Sequence, residues 1–195
     1  MMPKPFSSSL LFLLALTLGA TGCVTVTFPE PMPMHRRNLK SFPKSWQGDW
    51  KAMNDGKEDA EKDGLMTIGP DRIQSEGQED LVIGEQVVLR RMGRQLVLNL
   101  EGEGEGPRWT LAVAQKSGDQ IVVRQLDPKL PGALRRWENV VGEGRIKEVY
   151  DDNDTKDKLR EVQLDPRGNG AFRRLVRFGA SETMTYQRVR KEPAP

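Results

Sequence analysis

DLVIGEQVVLRRMGRQLVLNLEGEGEGPRWTLAVAQK, residues 80–116, is the stretch that decides the fold. Leu81, Ile83, Val87 and Leu89 occupy every second position of one run. Leu96, Leu98 and Leu100 do the same in the next, and Trp109, Leu111 and Val113 in the third. Successive side chains of a strand point to opposite faces, so a period of two predicts strands with one buried face. Met92-Gly93 and the Glu101–Pro107 loop fall between the runs and supply turns. Outward from this stretch the same text continues from Ser45. Turn signals stand at Asn54-Asp55-Gly56, Ser117-Gly118-Asp119, Gly142-Glu143-Gly144 and Asp151–Asp157. Later strands are predicted near 119–126, 133–141, 145–150, 158–164, 171–178 and 182–190, and no window shows a helical period. The expectation is an all-β fold, an antiparallel up-and-down meander of about 8–10 strands closing into a barrel, since closure removes exposed edges.

One internal similarity supports that layout. QLDPKLPGALRRWENV (125–140) and QLDPRGNGAFRRLVRF (163–178) are identical at eight of sixteen positions, 38 residues apart. Each copy reads as strand, Asp-Pro turn, strand. The shared turn chemistry is enough to explain it, without duplication.

The beginning of the chain reads differently. One charge, Lys4, precedes the apolar run Leu10–Leu18, and Gly19-Ala20-Thr21-Gly22 then supplies small residues up to Cys23. A charged start, a short apolar core and small residues make a secretory signal. The run is too short to span about 30 Å of hydrocarbon, which takes roughly 20 residues. Cys23 is the single cysteine of the chain. An unpaired cysteine in an oxidising compartment calls for an explanation. Ala20-Thr21-Gly22-Cys23 resembles the lipobox of bacterial lipoproteins, with Ala20 where Leu is usual. The resemblance implies cleavage before Cys23, lipid on that cysteine and attachment to a membrane. With Val24 rather than Asp following, it also implies the outer membrane.

The predicted domains are therefore a signal peptide (1–22), a lipidated N-terminus and Pro-rich tether (23–44), a β-barrel (45–191) and a disordered tail (192–195). Pro29, Pro31, Pro33 and Pro43 mark the tether. At about 3.1 Å per residue it would hold the barrel up to roughly 60 Å from its lipid. Removing 22 of 195 residues leaves 173, enough for one domain with a real core. The balance of 30 basic and 28 acidic residues argues against nucleic acid as partner.

Enzyme chemistry is poorly supplied. The single histidine, His35, lies outside the barrel segment, which excludes a Ser-His-Asp or Cys-His arrangement within it. Without a His or Cys cluster no zinc site is expected, and no cofactor is. Glu101–Gly106 is glycine-rich but lacks the Gly-Lys-Ser/Thr of a phosphate loop. Asp151–Asp157 has the oxygen density of a calcium loop, yet Lys156 and Val162 stand where that loop needs Gly and Glu.

Two further features bear on function. Gly48-Asp49-Trp50 opens the first strand and resembles the Gly-x-Trp signature of lipocalin-type barrels. That resemblance implies a Trp plugging one barrel end with an Arg of the last strand over its ring, a cation–π contact. Arg188 is the candidate Arg. In the repeat, alternation puts Arg174 on the face of Phe172, Val176 and Phe178. Arg174 is thus expected inward, facing an acid or a ligand anion, while Arg173 and Arg177 form an outward stripe. Inward charges at Glu85 and Arg174 favour a filled or polar interior. The leading expectation is a non-enzymatic envelope lipoprotein, a structural or interaction module whose partners are the membrane, an envelope protein, anionic lipid or glycan. The alternative is a lipocalin-like carrier of an amphiphilic or apolar small molecule.

Overall fold

A computed structural model describes residues 24–53, 64–102, 107–150, 158–179 and 181–190. The signal segment, Cys23, the turn at 54–56, most of the glycine-rich loop, the 151–157 loop and the 192–195 tail lie outside these residues.

Nine strands form one antiparallel sheet. They are β2 (Gly48–Met53), β3 (Leu65–Ile68), β4 (Arg72–Ser75), β5 (Leu81–Val82), β6 (Val87–Met92), β7 (Gln95–Glu101), β8 (Trp109–Ser117), β9 (Gln120–Leu126) and β12 (Ser181–Arg188). Their order is β5-β4-β3-β2-β12-β9-β8-β7-β6, so each strand pairs with its chain neighbour except that β12 sits between β9 and β2. Ile83, just past β5, bridges to Val87 of β6, and the sheet is a nearly closed barrel. The all-β barrel read from the alternation is the fold observed.

The excursion between β9 and β12 departs from that reading. It runs α1 (Ala133–Val141), β10 (Ile146–Tyr150), β11 (Leu159–Leu164) and α2 (Asn169–Phe178). Residues 133–141 and 171–178 are helices, not the strands expected. Ala133, Trp137 and Val141 are buried at intervals of four in α1. In α2 the buried positions are Ala171, Phe172, Leu175 and Val176. Those spacings fit a 3.6-residue period, and the period-two match at 172 and 176 was a coincidence of the same residues. Each helix ends on a glycine, with Gly142 N–H donating to Glu138 O (2.8 Å) and Gly179 N–H to Leu175 O (2.7 Å). Both repeat copies are therefore strand, Asp-Pro turn, helix. Asp127 caps its own turn by accepting from Lys129 N–H, and Asp165 instead holds Arg145.

The expected tether is folded as well. β1 (Thr25–Thr27) pairs in parallel with β11, which pairs with β10, making a second sheet of three strands. Phe28 and Trp109 exchange both backbone hydrogen bonds, at 2.8 and 2.9 Å, stitching this sheet to β8. Phe28, Met32 and Phe42 are buried, and Leu39 N–H donates to Leu89 O along the outer edge of β6. Residues 24–44 thus form a strap that covers the side of the barrel and the edge that β5 leaves open. Prolines read as linker composition are here compatible with a strap because its polar backbone is answered by side chains. Asn99, fully buried, accepts from Met32 N–H (2.7 Å) and donates to Met32 O (2.9 Å). Arg90 donates to the carbonyls of Pro31 and Pro33.

Two hydrophobic cores result. The inner one fills the barrel with Trp46, Trp50, Ile68, Leu89, Leu96, Leu98 and Ile121, among others. The outer one lies between the outside of β7 and β8 and the layer of strap, small sheet and helices. Val97, Leu111, Val113, Trp137 and Phe172 belong to it. β7 is buried on both faces from Leu96 to Leu100.

Candidate functional site: the barrel interior and its capped end

The capped end is built around Trp50, which has no exposed surface. Register pairs Arg188 with Trp50, and the guanidinium carbon lies 4.3 Å from the centre of the indole ring. Arg188 also donates to Gln47 O (2.9 Å) and Ser45 O (2.7 Å), so it ties the last strand to the turn that precedes β2. The indole N–H donates to Trp46 O at 2.9 Å. Gly48 is required for this packing. Its φ is +128°, and a Cβ there would lie 2.7 Å from Arg188 Nη1. The Gly-x-Trp triplet thus has a local physical cause: glycine leaves room for the arginine that covers the tryptophan.

Behind the cap, the interior holds a cavity of about 90 Å³. Phe42, Trp46, Met66, Leu98, Met184 and Tyr186 are among its walls, and no charged side chain lines it among the described residues. Gln125 and the Tyr186 hydroxyl are its polar groups. That hydroxyl donates to Met184 Sδ at 2.8 Å, a weak acceptor. Burial pushes the Tyr186 phenol above its ordinary 10.0. Met184, Tyr186 and Arg188 occupy alternate positions of β12, so period two places all three on the inward face. This signal was present in the sequence, and Met184 and Tyr186 were missed because a Met-Thr-Tyr run reads as weakly apolar.

Arg174 is not part of this site. It lies exposed on α2, beside exposed Arg173 and Arg177, and Phe178 of its supposed face is 58% exposed. The expectation of an inward Arg174 fails because the segment is helical, and a helix of this sequence turns positions 173, 174 and 177 to one side. Glu85 is likewise exposed, in the turn between β5 and β6. Trp50 and Arg188 are thus brought together, and Arg174 is separate from them.

No group of three or more His, Cys, Asp or Glu is placed to hold a metal ion among the described residues. Compared with known proteins, the chain matches no family model, no curated protein and no solved structure. The lipocalin-type likeness therefore rests on the barrel and on Gly48, Trp50 and Arg188 alone.

Proposed function

We propose that this chain is an exported lipoprotein, acylated at Cys23 and held at the outer membrane, whose barrel binds a small apolar or amphiphilic molecule. The observation that carries the binding reading is the uncharged, apolar cavity. Glu85 and Arg174, the two residues that would have made the interior polar, are on the surface. The Tyr186 hydroxyl, answered by a thioether alone, is available to a ligand's polar atom. Beside the roughly 150 Å³ of an apolar cavity that takes benzene, a volume near 90 Å³ admits a short alkyl portion. Met66 and Met184 on the wall have the flexibility to enlarge it.

Native mass spectrometry of the full chain from its own envelope tests this directly. A co-purifying small molecule of defined mass, lost on widening Ala114 to Phe, is the expected result. A bare protein whose tryptophan fluorescence also fails to change with anilinonaphthalene sulfonate would remove the carrier reading. The anchor is tested apart from it. Cys23→Ala should lose fatty-acid labelling, and unchanged labelling would end the lipoprotein reading. The small cavity favours a second reading, in which the filled barrel is an interaction module of the envelope without a ligand.

A further inference from the structure

The two helices share an outer surface that the capped barrel does not use. Arg135 and Arg136 on α1 and Arg173, Arg174 and Arg177 on α2 are all exposed. None of the five has an ion-pair or hydrogen-bond partner among the described residues. Arg72, Arg108, Arg145, Arg188 and Arg190 by contrast meet carboxylates, while other exposed arginines such as Arg36, Arg94 and Arg160 are scattered singly or in other parts of the fold. Glu138 is the single acid on either helix, and the first turn of each has no acid at all. α1 and α2 pack on each other and bury their apolar sides in the outer core, so the helical layer leaves both arginine pairs of the repeat exposed. Phe178 stands at its edge, 58% exposed, with the Arg177 guanidinium 5.0 Å from its ring.

The first described residues lie in the same layer. Val24 and Val26 pack into the outer core, with Ala133 and Trp137 of α1 and Phe172 of α2. Thr25 begins β1, so a group on Cys23 is two residues from folded structure. No spacer separates the lipid from the domain.

We infer that the arginine faces of α1 and α2 form a docking surface for an anionic membrane, engaging phosphate-bearing lipid headgroups. The inference rests on the lipoprotein reading for its geometry. A basic surface beside a lipid anchor adds electrostatic attraction to anionic headgroups. Guanidinium groups pair with phosphate oxygens bidentately, and exposed Phe178 suits the boundary between headgroups and acyl chains. A protein so held lies flat on its helical layer.

The test uses the full chain with Cys23→Ala, so that no lipid contributes. Its partition into vesicles of phosphatidylglycerol mixed equally with phosphatidylcholine is divided by its partition into pure phosphatidylcholine. This ratio cancels the apolar contribution of the leader, and its Lys4 is common to all variants. A basic side chain at such a surface is worth about fivefold in binding, so the ratio should drop about a hundredfold in R173A/R174A/R177A. R173K/R174K/R177K should keep most of it, and high salt should abolish it. Thermal melts that match the parent exclude misfolding, as all three sites are exposed. A ratio near one for the parent, or an unchanged ratio in the alanine variant, overturns the inference. Binding to polyglutamate without binding to anionic vesicles would assign the surface to an acidic protein and also overturn it. Fatty-acid labelling of unmodified Cys23 reads the anchor separately, so failure of one is distinct from failure of the other.

Discussion

The two sides of β7 face two different interiors. On one side Leu96, Leu98 and Leu100 point into the barrel, where the walls leave a cavity. On the other, Val97 packs with Trp137, Phe172 and Leu175 beneath the helices, and Asn99 pins the strap. The inner core is closed by a cation over an indole and keeps room to spare. The outer one is closed by chain that lies outside the nine-stranded sheet. A strand buried on both faces marks where a simple meander carries a second layer, and that layer holds residues 24–27 and the arginine faces of the two helices.

The largest expected effects compare the cores directly. Trp50→Ala and Trp137→Ala should each cost about 3–5 kcal/mol, as large-to-small core changes do. Urea melts followed by fluorescence and by circular dichroism check whether the cores unfold together. Coincident transitions in both variants are expected, because β7 and β8 belong to both. An outer core that melts alone in Trp137→Ala would make the layer an independent unit.

Next is the strap. Asn99→Ala leaves the Met32 N–H and C=O buried without partners, which should cost about 1–3 kcal/mol. Limited proteolysis should then cut within 24–44 before any barrel loop, whereas the parent strap should resist. Equal resistance in the variant would show that apolar burial of Phe28, Met32 and Phe42 holds the strap unaided.

Tyr186 offers a pH signature of the inner core. Burial raises its pKa above 10.0, so the folded state holds the phenolic proton more tightly than the unfolded chain. The stability this represents is fully present below pH 10 and is lost as pH rises from 10 through the folded value. The urea midpoint of the parent should fall over that window more than that of Tyr186→Phe. Parallel curves would place the hydroxyl in contact with water.

The smallest effect belongs to the outside. Arg174→Ala should change stability by no more than about 0.5 kcal/mol, as surface substitutions do. A loss of several kcal/mol would restore the inward position that alternation alone suggests.

The barrel was legible because β6, β7 and β8 carry their leucines and valines at period two. The helices were not, because ALRRWENVV and AFRRLVRF place apolar residues at intervals that satisfy both periods over so short a span. Only packing on Val97, Leu111 and Val113 decides between them. β8 shows the same limit from another side. Trp109, Leu111 and Val113 were a correct apolar stripe, but Leu111 and Val113 face the outer core while Ala112 and Ala114 line the cavity. Alternation reports that a face is buried and not which interior it meets. Trp50 and Arg188 were readable through Gly48. Asn99 was hidden, since a lone polar residue in a leucine run gives no hint that its partner is backbone 67 residues away.

Closure of this fold also sets an order in time. Thr27 meets Glu161 across 134 residues, and Arg188 meets Gln47 across 141. A chain delivered N-terminus first presents the strap and β2 long before β11 and β12 exist. Until then β2 and β3 form an open-edged hairpin, and the strap has only β6–β8 to lie on. Loop closure over such separations is slow and entropically costly. The last strand to emerge, β12, is the one that joins β2 to β9, so the barrel remains unlatched until Arg188 has been delivered.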